Sequence, residues 1–473
     1  MEDLWNGGLA RLRWPFALVA GAAAAIVLVL ISAGSGQAQP TSDASSAGSG
    51  QFQFDPLPAS APCTPGGDPA QPLLLPEGYT QSVIASEPQF PDLPDMNTQN
   101  ETGPDAGRYL YRTHETSGNS AVTLTDLETG TTSTFAQRAD WERFDGIVWT
   151  PWGTILVAEE TNAAAIRDPE VPQAEAGLVY ELFPDPNDPT KLDLTKGGGD
   201  GIAPRPALGS KSHEGMRFDP HGSLYSISES NPGYIFKFVP DKRGDLSSGQ
   251  LYALKVVEPT GDRTGEAIWV PLDRASVQVN ANAAAAAVGA TGYNRPEDVE
   301  ITTSTGNNRG GATTLYVSVT DPSTDSRVLG VDLREPAGGS AHDTAFVYDY
   351  VRTGLNAPAD FAWPDNLALD RAGNLYIAED PPVNPVGQGA DIWVAEPPSK
   401  VGQNLPAGSV VRFASVTDCN AEPTGIYFKM TGRSNGSTVD NNSGTLFVNI
   451  QHRGGDGQDK AVAVSELDST NNP

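Results

Sequence analysis

The sequence predicts an all-β protein, a six-bladed β-propeller with long inserted loops, and three observations support this class. The 473 residues include 50 glycines and 39 prolines, and such a composition is typical of short strands separated by turns. A polar turn ending in glycine precedes a short alternating strand six times along the chain. The sequence has no long amphipathic pattern, and its one helix-prone run, 280–288, lies in an insertion.

Each of the six repeats begins at a glycine, which can adopt the positive φ angle of a hairpin turn. The strand that follows alternates apolar and polar residues, so that each strand has two distinct faces. Six irregularly spaced copies favour a propeller whose blades carry insertions of different lengths. A β-sandwich or a pair of barrels is the alternative that the repeats leave open. The six glycines are Gly107, Gly153, Gly222, Gly311, Gly373 and Gly444.

The N-terminal region predicts export from the cytoplasm. Arg11 and Arg13 precede an uncharged apolar run, 14–33, so residues 1–38 are expected to be a signal peptide or an uncleaved signal anchor. Residues 39–75 are rich in small and polar residues and predict a disordered low-complexity linker. The propeller is expected to span 76–473. The protein is therefore expected to be secreted, periplasmic or on the cell surface, with membrane contact only through 14–33.

The formal charge of −29 excludes nucleic acid and anionic membrane surfaces as partners, because both bind basic surfaces. Solubility or adaptation to salt would explain such a charge, and some carboxylates could instead be oxygen ligands for calcium. We expect a monomer that acts on a small molecule. The two cysteines, Cys63 and Cys419, could form a disulfide in an oxidising compartment or remain unpaired thiols.

Acidic residues recur at the ends of the predicted strands. In a propeller, the innermost strand of each blade lines the axis, so carboxylates at equivalent strand ends converge. Converging carboxylates cannot all stay ionised unless a cation neutralises them. Oxygen donors select calcium, magnesium or ferric iron, and the few cysteines and histidines disfavour zinc and copper. A single carboxylate could instead be a turn cap or a surface charge. The candidate metal ligands are Glu159, Glu214, Glu297, Asp365 and Glu422.

Arg295 is the candidate substrate-binding residue. It precedes Pro296 and stands beside Glu297 and Asp298, so it could form a structural ion pair. A guanidinium also matches the oxygens of a phosphate group with two parallel hydrogen bonds. Both interpretations remain open from the residues alone.

Together the glycine turns, the acidic strand ends and the motif around Arg295 resemble the PhoX-type alkaline phosphatases. This is a family of exported metal-dependent phosphomonoesterases built on a six-bladed propeller. The resemblance implies a centre of iron and calcium held by carboxylates, in which Glu214, Glu297 and Glu422 are metal ligands. It also implies that Arg295 binds the phosphate of a small phosphorylated substrate and that Glu297 belongs to the catalytic centre. The matching phrases are 144–160, 213–215, 289–300, 364–370, 422–425 and 445–452.

Three positions depart from the family pattern. Ala158 stands where the family has a cysteine that bridges the irons, and Thr113 replaces the asparagine before His114. Leu12 separates the two N-terminal arginines, so the family's twin-arginine export signal is missing. Without the thiolate, a soft iron ligand is absent. We therefore expect a Ca²⁺ site, and Fe³⁺ is disfavoured.

Three functions agree with these residues. The first is an extracytoplasmic, metal-dependent phosphatase that hydrolyses phosphate esters. The second is a lactonase-like propeller hydrolase, in which calcium polarises a carbonyl group. The third is a non-catalytic surface propeller whose calcium stabilises the fold.

Overall fold

Antiparallel strands account for almost all regular structure in the computed structural model. The model describes residues 54–103, 105–302, 313–320, 326–334, 344–381, 387–399, 403–429, 444–454 and 457–467. These described residues form 28 strands, one α-helix and two short 3-10 turns, Gly197–Gly199 and Pro206–Leu208. The helix α1, Val277–Ala287, confirms the predicted helical run in the insertion.

The strands of the first half are β1 Leu73–Leu74, β2 Tyr79–Ser86, β3 Pro94–Gln99, β4 Tyr109–His114, β5 Ala121–Asp126, β6 Thr131–Gln137, β7 Phe144–Trp149, β8 Ile155–Glu159, β9 Val179–Leu182, β10 Pro184–Asp185, β11 Asp188–Leu192, β12 Ile202–Pro204, β13 Met216–Phe218 and β14 Leu224–Ile227. Those of the second half are β15 Ile235–Lys242, β16 Asp245–Val256, β17 Gly265–Pro271, β18 Pro296–Ile301, β19 Thr313–Val319, β20 Arg327–Arg334, β21 Thr344–Arg352, β22 Pro364–Leu369, β23 Leu375–Glu379, β24 Asp391–Ala395, β25 Val410–Val416, β26 Glu422–Phe428, β27 Thr445–Gln451 and β28 Lys460–Glu466.

The sheets follow one another along the chain, and each runs up and down from an inner strand outward. Three sheets have the orders β3-β4-β5-β6, β7-β8-β9-β12 and β22-β23-β24-β25-β1. A nine-stranded sheet contains β13 to β17 in sequence, and β17 then pairs with β21 of the run β18-β19-β20-β21. The N-terminal β2 completes the last sheet beside β28, in the order β26-β27-β28-β2. This arrangement confirms an almost all-β, propeller-like fold.

The first strands of these runs contact one another in a closed cycle. β3 packs on β7, β7 on β13, β13 on β18, β18 on β22, β22 on β26, and β26 returns to β3. The ring of first strands therefore surrounds the axis, as the sequence predicts, and the beginnings of these strands lie together.

The predicted turn glycines lie before the second strand of each run. Gly107, Gly153, Gly222 and Gly373 have φ angles between 82° and 89°, and Gly444 has a φ angle of 63°. These angles are strained for residues that carry a Cβ atom. The sixth predicted turn, at Gly311, lies outside the described residues. The repeated strands are β4, β8, β14, β19, β23 and β27.

The apolar core lies between neighbouring sheets. In one cluster, Tyr111 and Phe135 of the first sheet pack with Trp149, Ile155 and Tyr180 of the next. Burying a large apolar side chain contributes about 1.5–3 kcal/mol, so each interface between sheets is a substantial source of stability. The rigid packing holds the strand ends at the axis in place.

A disulfide joins Cys63 to Cys419, across 356 residues of sequence, which decides between the two states expected for the cysteines. The segment around Cys63 packs on β25: the Leu57 amide donates to the Arg412 carbonyl at 3.0 Å, and Leu73 pairs with Val416. The predicted linker, 39–75, is therefore ordered from Phe54 onward. Its few apolar groups were a poor guide, because the disulfide and the pairing with β25 supply the contacts.

Within the described residues, no helix has the length and apolar character required to span a bilayer. The predicted signal segment, including the apolar run 14–33, lies outside the described residues.

Candidate metal centre

On β26 a β-bulge follows Thr424, and four other inner strands, β3, β7, β18 and β22, carry a β-bulge near their start. In each, the register shifts across two residues, as between Pro94 and Asn97 on β3 and between Phe144 and Ile147 on β7. The same shift recurs on β18 and β22. A bulge redirects the side chains of the extra residues and is frequent beside functional sites. The first bulge residue is a carboxylate in all four of these strands: Asp95, Asp145, Glu297 and Asp365.

Glu214 lies two residues before β13 begins, so these five of the six runs have a carboxylate at or just before the start of the first strand. The sixth, β26, also begins with a carboxylate, Glu422, and its bulge residues are Gly425 and Ile426. Three of the predicted ligands, Glu214, Glu297 and Asp365, lie together, and Glu422 lies near Asp365 and Asp380. That these residues bind a metal stays a prediction.

These carboxylates form two groups in which one oxygen of every member lies within 4.8 Å of the others. We call Glu214, Glu297 and Asp365 the first triad. The second triad is Asp95, Glu115 and Asp145. Five of the six residues are buried, and Glu115 is half-buried. Four further carboxylates border the triads: Glu160, Glu229, Asp380 and Glu422.

Burial, followed by the surrounding carboxylates, raises the pKa of Glu214 and of Asp95 well above the ordinary range. The same causes act on Asp145 and Glu422. For Glu297, burial raises the pKa, although Arg295 opposes the shift. A set of ionised carboxylates is therefore unfavourable here without cations.

Several carboxylate oxygens in both triads are buried without a hydrogen-bond donor: Asp95 Oδ1, Asp145 Oδ1, Glu214 Oε2 and both oxygens of Glu297. Glu297 Oε1 does lie 2.9 Å from Arg295 Nη2, so it is ion-paired without hydrogen-bonding geometry. Buried oxygens of this kind are the ligands that calcium prefers in proteins. The side chains thus fit a hard cation.

A thiolate is not available to this centre. Both cysteines of the chain are joined in the disulfide. Ala158 is fully buried in an apolar cluster with Leu156, Val179 and Met216. The donor set of the triads therefore consists of carboxylate oxygens.

Arg295 reaches the first triad from its rim. Its Nε donates to Glu229 Oε1 at 2.5 Å, and its Nη2 lies 3.6 Å from Asp380 Oδ2 as well as close to Glu297. The Arg295 side chain is 34% exposed. The carboxylates raise its pKa further above the ordinary value, although burial opposes this. A permanently charged guanidinium thus stands between solvent and the triad.

Glu159 lies apart from both triads. Its two oxygens accept hydrogen bonds from the backbone amides of Glu142 and Leu178, each at 3.0 Å. The next residue, Glu160, contacts Glu115 and Glu229 instead. Because adjacent residues on a strand face opposite sides, only one member of this pair can point to the axis. The structure brings Glu160 into the centre where the sequence favoured Glu159.

The same division occurs in the pair at the end of β23. Glu379 accepts hydrogen bonds from Trp393 Nε1 at 2.6 Å and from the Asp391 amide at 3.1 Å. Asp380 contacts Glu422 and the guanidinium of Arg295. The acidic residues near the axis that sequence reasoning did not name as candidates are Asp95, Glu115, Asp145, Glu160, Glu229 and Asp380. Strand alternation shows that only one residue of each adjacent pair can face the axis, without showing which one.

Close backbone contacts lock neighbouring inner strands together. A Cβ atom on Gly146 would lie 2.1 Å from the Glu214 carbonyl oxygen, so only glycine allows β7 to approach so near. The hydroxyl of Thr113, at the position of the family asparagine, lies within hydrogen-bond distance of the carbonyls of Met96 and Asp145, and its single proton can donate to either. The hydroxyl thus joins the first two inner strands beside the second triad.

The last inner sheet closes the ring through β27. Asn449 donates to the Asp95 carbonyl and accepts from Arg112 Nε at 2.8 Å. Gln451 donates to Glu115 Oε2 at 2.7 Å. These contacts explain the structural role of the motif 445–452, because Asn449 and Gln451 hydrogen-bond two residues of the second triad, Asp95 and Glu115. His452 Nε2 lies 3.3 Å from Glu422 Oε1.

Comparison with known proteins agrees with the propeller-like fold. The family described as alkaline phosphatase PhoX matches residues 145–454, more than half of the chain. The fold is similar to that of Pseudomonas fluorescens PhoX in complex with vanadate, a transition-state analogue, with 18% identity and a TM-score of 0.61 over 87% of this chain and 98% of that one. A glucose dehydrogenase structure aligns over 81% of this chain and 98% of its own, at 12% identity and a TM-score of 0.38. No curated protein sequence matches the chain.

Proposed function

This chain belongs to the PhoX alkaline phosphatase family, and from that membership we propose that it is an extracytoplasmic, calcium-dependent phosphatase that hydrolyses esters of phosphate. The single observation that carries the proposal is the position of Arg295 beside the first triad. A guanidinium and a cation site on adjacent atoms can hold one phosphoryl group from two sides.

We propose that each triad of carboxylates binds its own cation. Glu214, Glu297 and Asp365 would hold one cation, and Asp95, Glu115 and Asp145 a second. A bound cation supplies Lewis acidity and neutralises charge on the phosphoryl oxygens. Arg295 orients two phosphoryl oxygens through parallel N–H donors, and Glu229 and Asp380 hold the guanidinium toward the centre.

The donor chemistry favours calcium over iron. Carboxylate oxygens are typical calcium ligands, and the described centre offers no sulfur atom. Elemental analysis of protein purified without added metal tests this choice. We expect calcium without iron, and two irons per chain would overturn the assignment.

We further infer that the nine-stranded sheet comprises two blades, β13–β16 and β18–β21, which β17 joins at their outer edges. Six blades would then surround the axis, in agreement with the closed cycle of six first strands. Family membership and the disulfide support a location outside the cytoplasm, either secreted, periplasmic or anchored at the cell surface. We propose a monomer, since one chain contributes every residue of both triads.

Hydrolysis of p-nitrophenyl phosphate tests the function. We expect turnover with calcium, loss of turnover with a chelator, and recovery when calcium is restored. R295A is expected to lose most of the activity. A protein that binds calcium and gains thermal stability but turns over neither phosphate esters nor lactones would be a non-catalytic propeller. Turnover of lactones alone would assign the centre to a different hydrolase.

A further inference from the structure

The backbone of Arg295 is held in an unusual conformation next to the end of β14. Its φ angle is 40°, in the left-handed region that residues with a Cβ atom rarely adopt. The Arg295 amide donates to the Ser230 carbonyl at 2.9 Å, while the side chain is bound by Glu229. Two consecutive residues, Glu229 and Ser230, therefore hold Arg295 at both its backbone and its side chain.

The Ser230 hydroxyl connects two other segments of the chain. It donates to Asn162 Oδ1, and it accepts a hydrogen bond from Asn282 Nδ2 at 3.0 Å. Asn162 follows Glu160 after β8, and its amide group lies 3.4 Å from the Glu229 carbonyl. The three side chains are neutral and lie at the rim: Asn162 is exposed, and Ser230 and Asn282 are half-buried.

Asn282 is carried by a firmly anchored helix. Val277, Ala281 and Ala285 of α1 are buried in the core. The Ser210 amide donates to the Val277 carbonyl and the Ala281 amide to the Ser210 carbonyl, each at 2.8 Å. Because α1 is fixed in this way, Asn282 donates its hydrogen bond to Ser230 from a fixed position.

We propose that Asn162, Ser230 and Asn282 form a positioning triad that fixes the direction of the Arg295 guanidinium toward a bound phosphate. The proposal rests on the phosphate-binding role of Arg295 given above. None of the three residues carries charge, so the triad acts through hydrogen bonds on Ser230 and through the Ser230 carbonyl on Arg295. The inserted helix α1 thereby becomes part of the substrate site, although it lies outside the ring of strands.

The test measures the affinity of the calcium-loaded protein for inorganic phosphate by calorimetry, and the KM and kcat for p-nitrophenyl phosphate. S230A is expected to weaken phosphate binding about tenfold, the range typical of residues that orient a ligand-binding group. S230T, which keeps the hydroxyl, should restore most of the affinity. S247A removes an exposed hydroxyl bound to Asp245 and should leave both readouts unchanged.

A double-mutant cycle separates positioning from a general structural role. In the R295A background, S230A should produce no further loss of phosphate affinity, because the group that Ser230 positions is absent. An equal loss in both backgrounds would overturn the proposal, as would unchanged affinity in S230A. N282L repeats the test from the helix if S230A folds poorly. Unchanged affinity there would likewise reject the triad.

Failure of the proposed function is distinguishable from failure of this inference. If the wild type binds phosphate but hydrolyses no phosphate ester, catalysis is refuted. The phosphate affinities of the variants then still decide the role of the positioning triad Asn162, Ser230 and Asn282. If the wild type does not bind phosphate at all, both are wrong.

Discussion

Two kinds of buried carboxylate occur in this protein. Glu159 and Glu379 lie inside their blades, where burial raises the pKa of each to about 8. Glu214 and Glu297 lie at the axis, and burial raises their pKa as well. The difference is in the hydrogen bonds: the blade carboxylates accept from amide and indole N–H groups, whereas the axial oxygens lack donors. Burial and a raised pKa do not therefore distinguish the axial carboxylates from those inside the blades, whereas the missing donors on Glu214 and Glu297 do.

The sharpest test of this comparison replaces one carboxylate of each kind. E297Q should abolish the calcium-dependent rise in melting temperature and lower phosphatase activity about 1,000-fold. It should also raise the melting temperature of the chelated protein, because one repelling charge is gone. E379Q is the matched control, with its calcium response intact. Differential scanning calorimetry with and without calcium gives both values. A calcium response in E297Q equal to that of the wild type would contradict the assignment.

The second test concerns Arg295, the cation at the rim of the first triad. R295A should reduce kcat/KM for p-nitrophenyl phosphate about 100-fold and weaken competition by inorganic phosphate. The control is R274A, since Arg274 is an exposed arginine that forms an ion pair with Asp241 at 2.8 Å. Steady-state kinetics of both variants give the kcat/KM values that are compared. Equal activity in R295A and R274A would leave Arg295 a structural residue.

The third test uses pH. Because the folded protein raises the pKa of its buried carboxyls, their ionisation costs folding free energy. That cost is absent below about pH 4, where the unfolded carboxyls are also protonated. The free energy of unfolding of chelated protein should therefore fall from pH 5 to pH 8. Calcium requires ionised ligands, so its affinity should rise over the same range. A calcium increment in melting temperature that shrinks with pH would contradict this.

The smallest expected effect is that of E159Q. The substitution replaces one accepting oxygen with an NH2 group, which cannot accept from the backbone amide that faces it. One hydrogen bond is therefore lost, and the free energy of unfolding should fall by about 1–3 kcal/mol. Calcium affinity, measured by calorimetry, should stay within about twofold. The double variant E159Q/E379Q should lose the sum of the two effects, because the residues lie in different blades. Loss of calcium binding in E159Q would return Glu159 to the ligand set.

The repeated turns and strands were predictable because each depends on local sequence. A glycine before an alternating strand is enough to specify the hairpin, and the five described turn glycines, such as Gly153 and Gly373, have the positive φ angle. Asp365 and Glu297 were also predictable as axial residues, because each is the second residue of an inner strand. Asp95 was harder to find, since its strand, β3, contains polar residues such as Asn97 and Thr98 and lacks the apolar alternation of the others.

The sequence by itself determined the class of fold, the acidic character of the centre and the limit of two cysteines in the chain. Those features follow from residue identity and from contacts between near neighbours. Only the tertiary structure decided that Glu160 rather than Glu159 faces the axis, and that Cys63 pairs with Cys419. Both outcomes depend on which groups from distant parts of the chain meet. For the carboxylates, the deciding contacts are with neighbouring segments, which supply N–H donors to Glu159 but bring Glu160 close to Glu115 and Glu229.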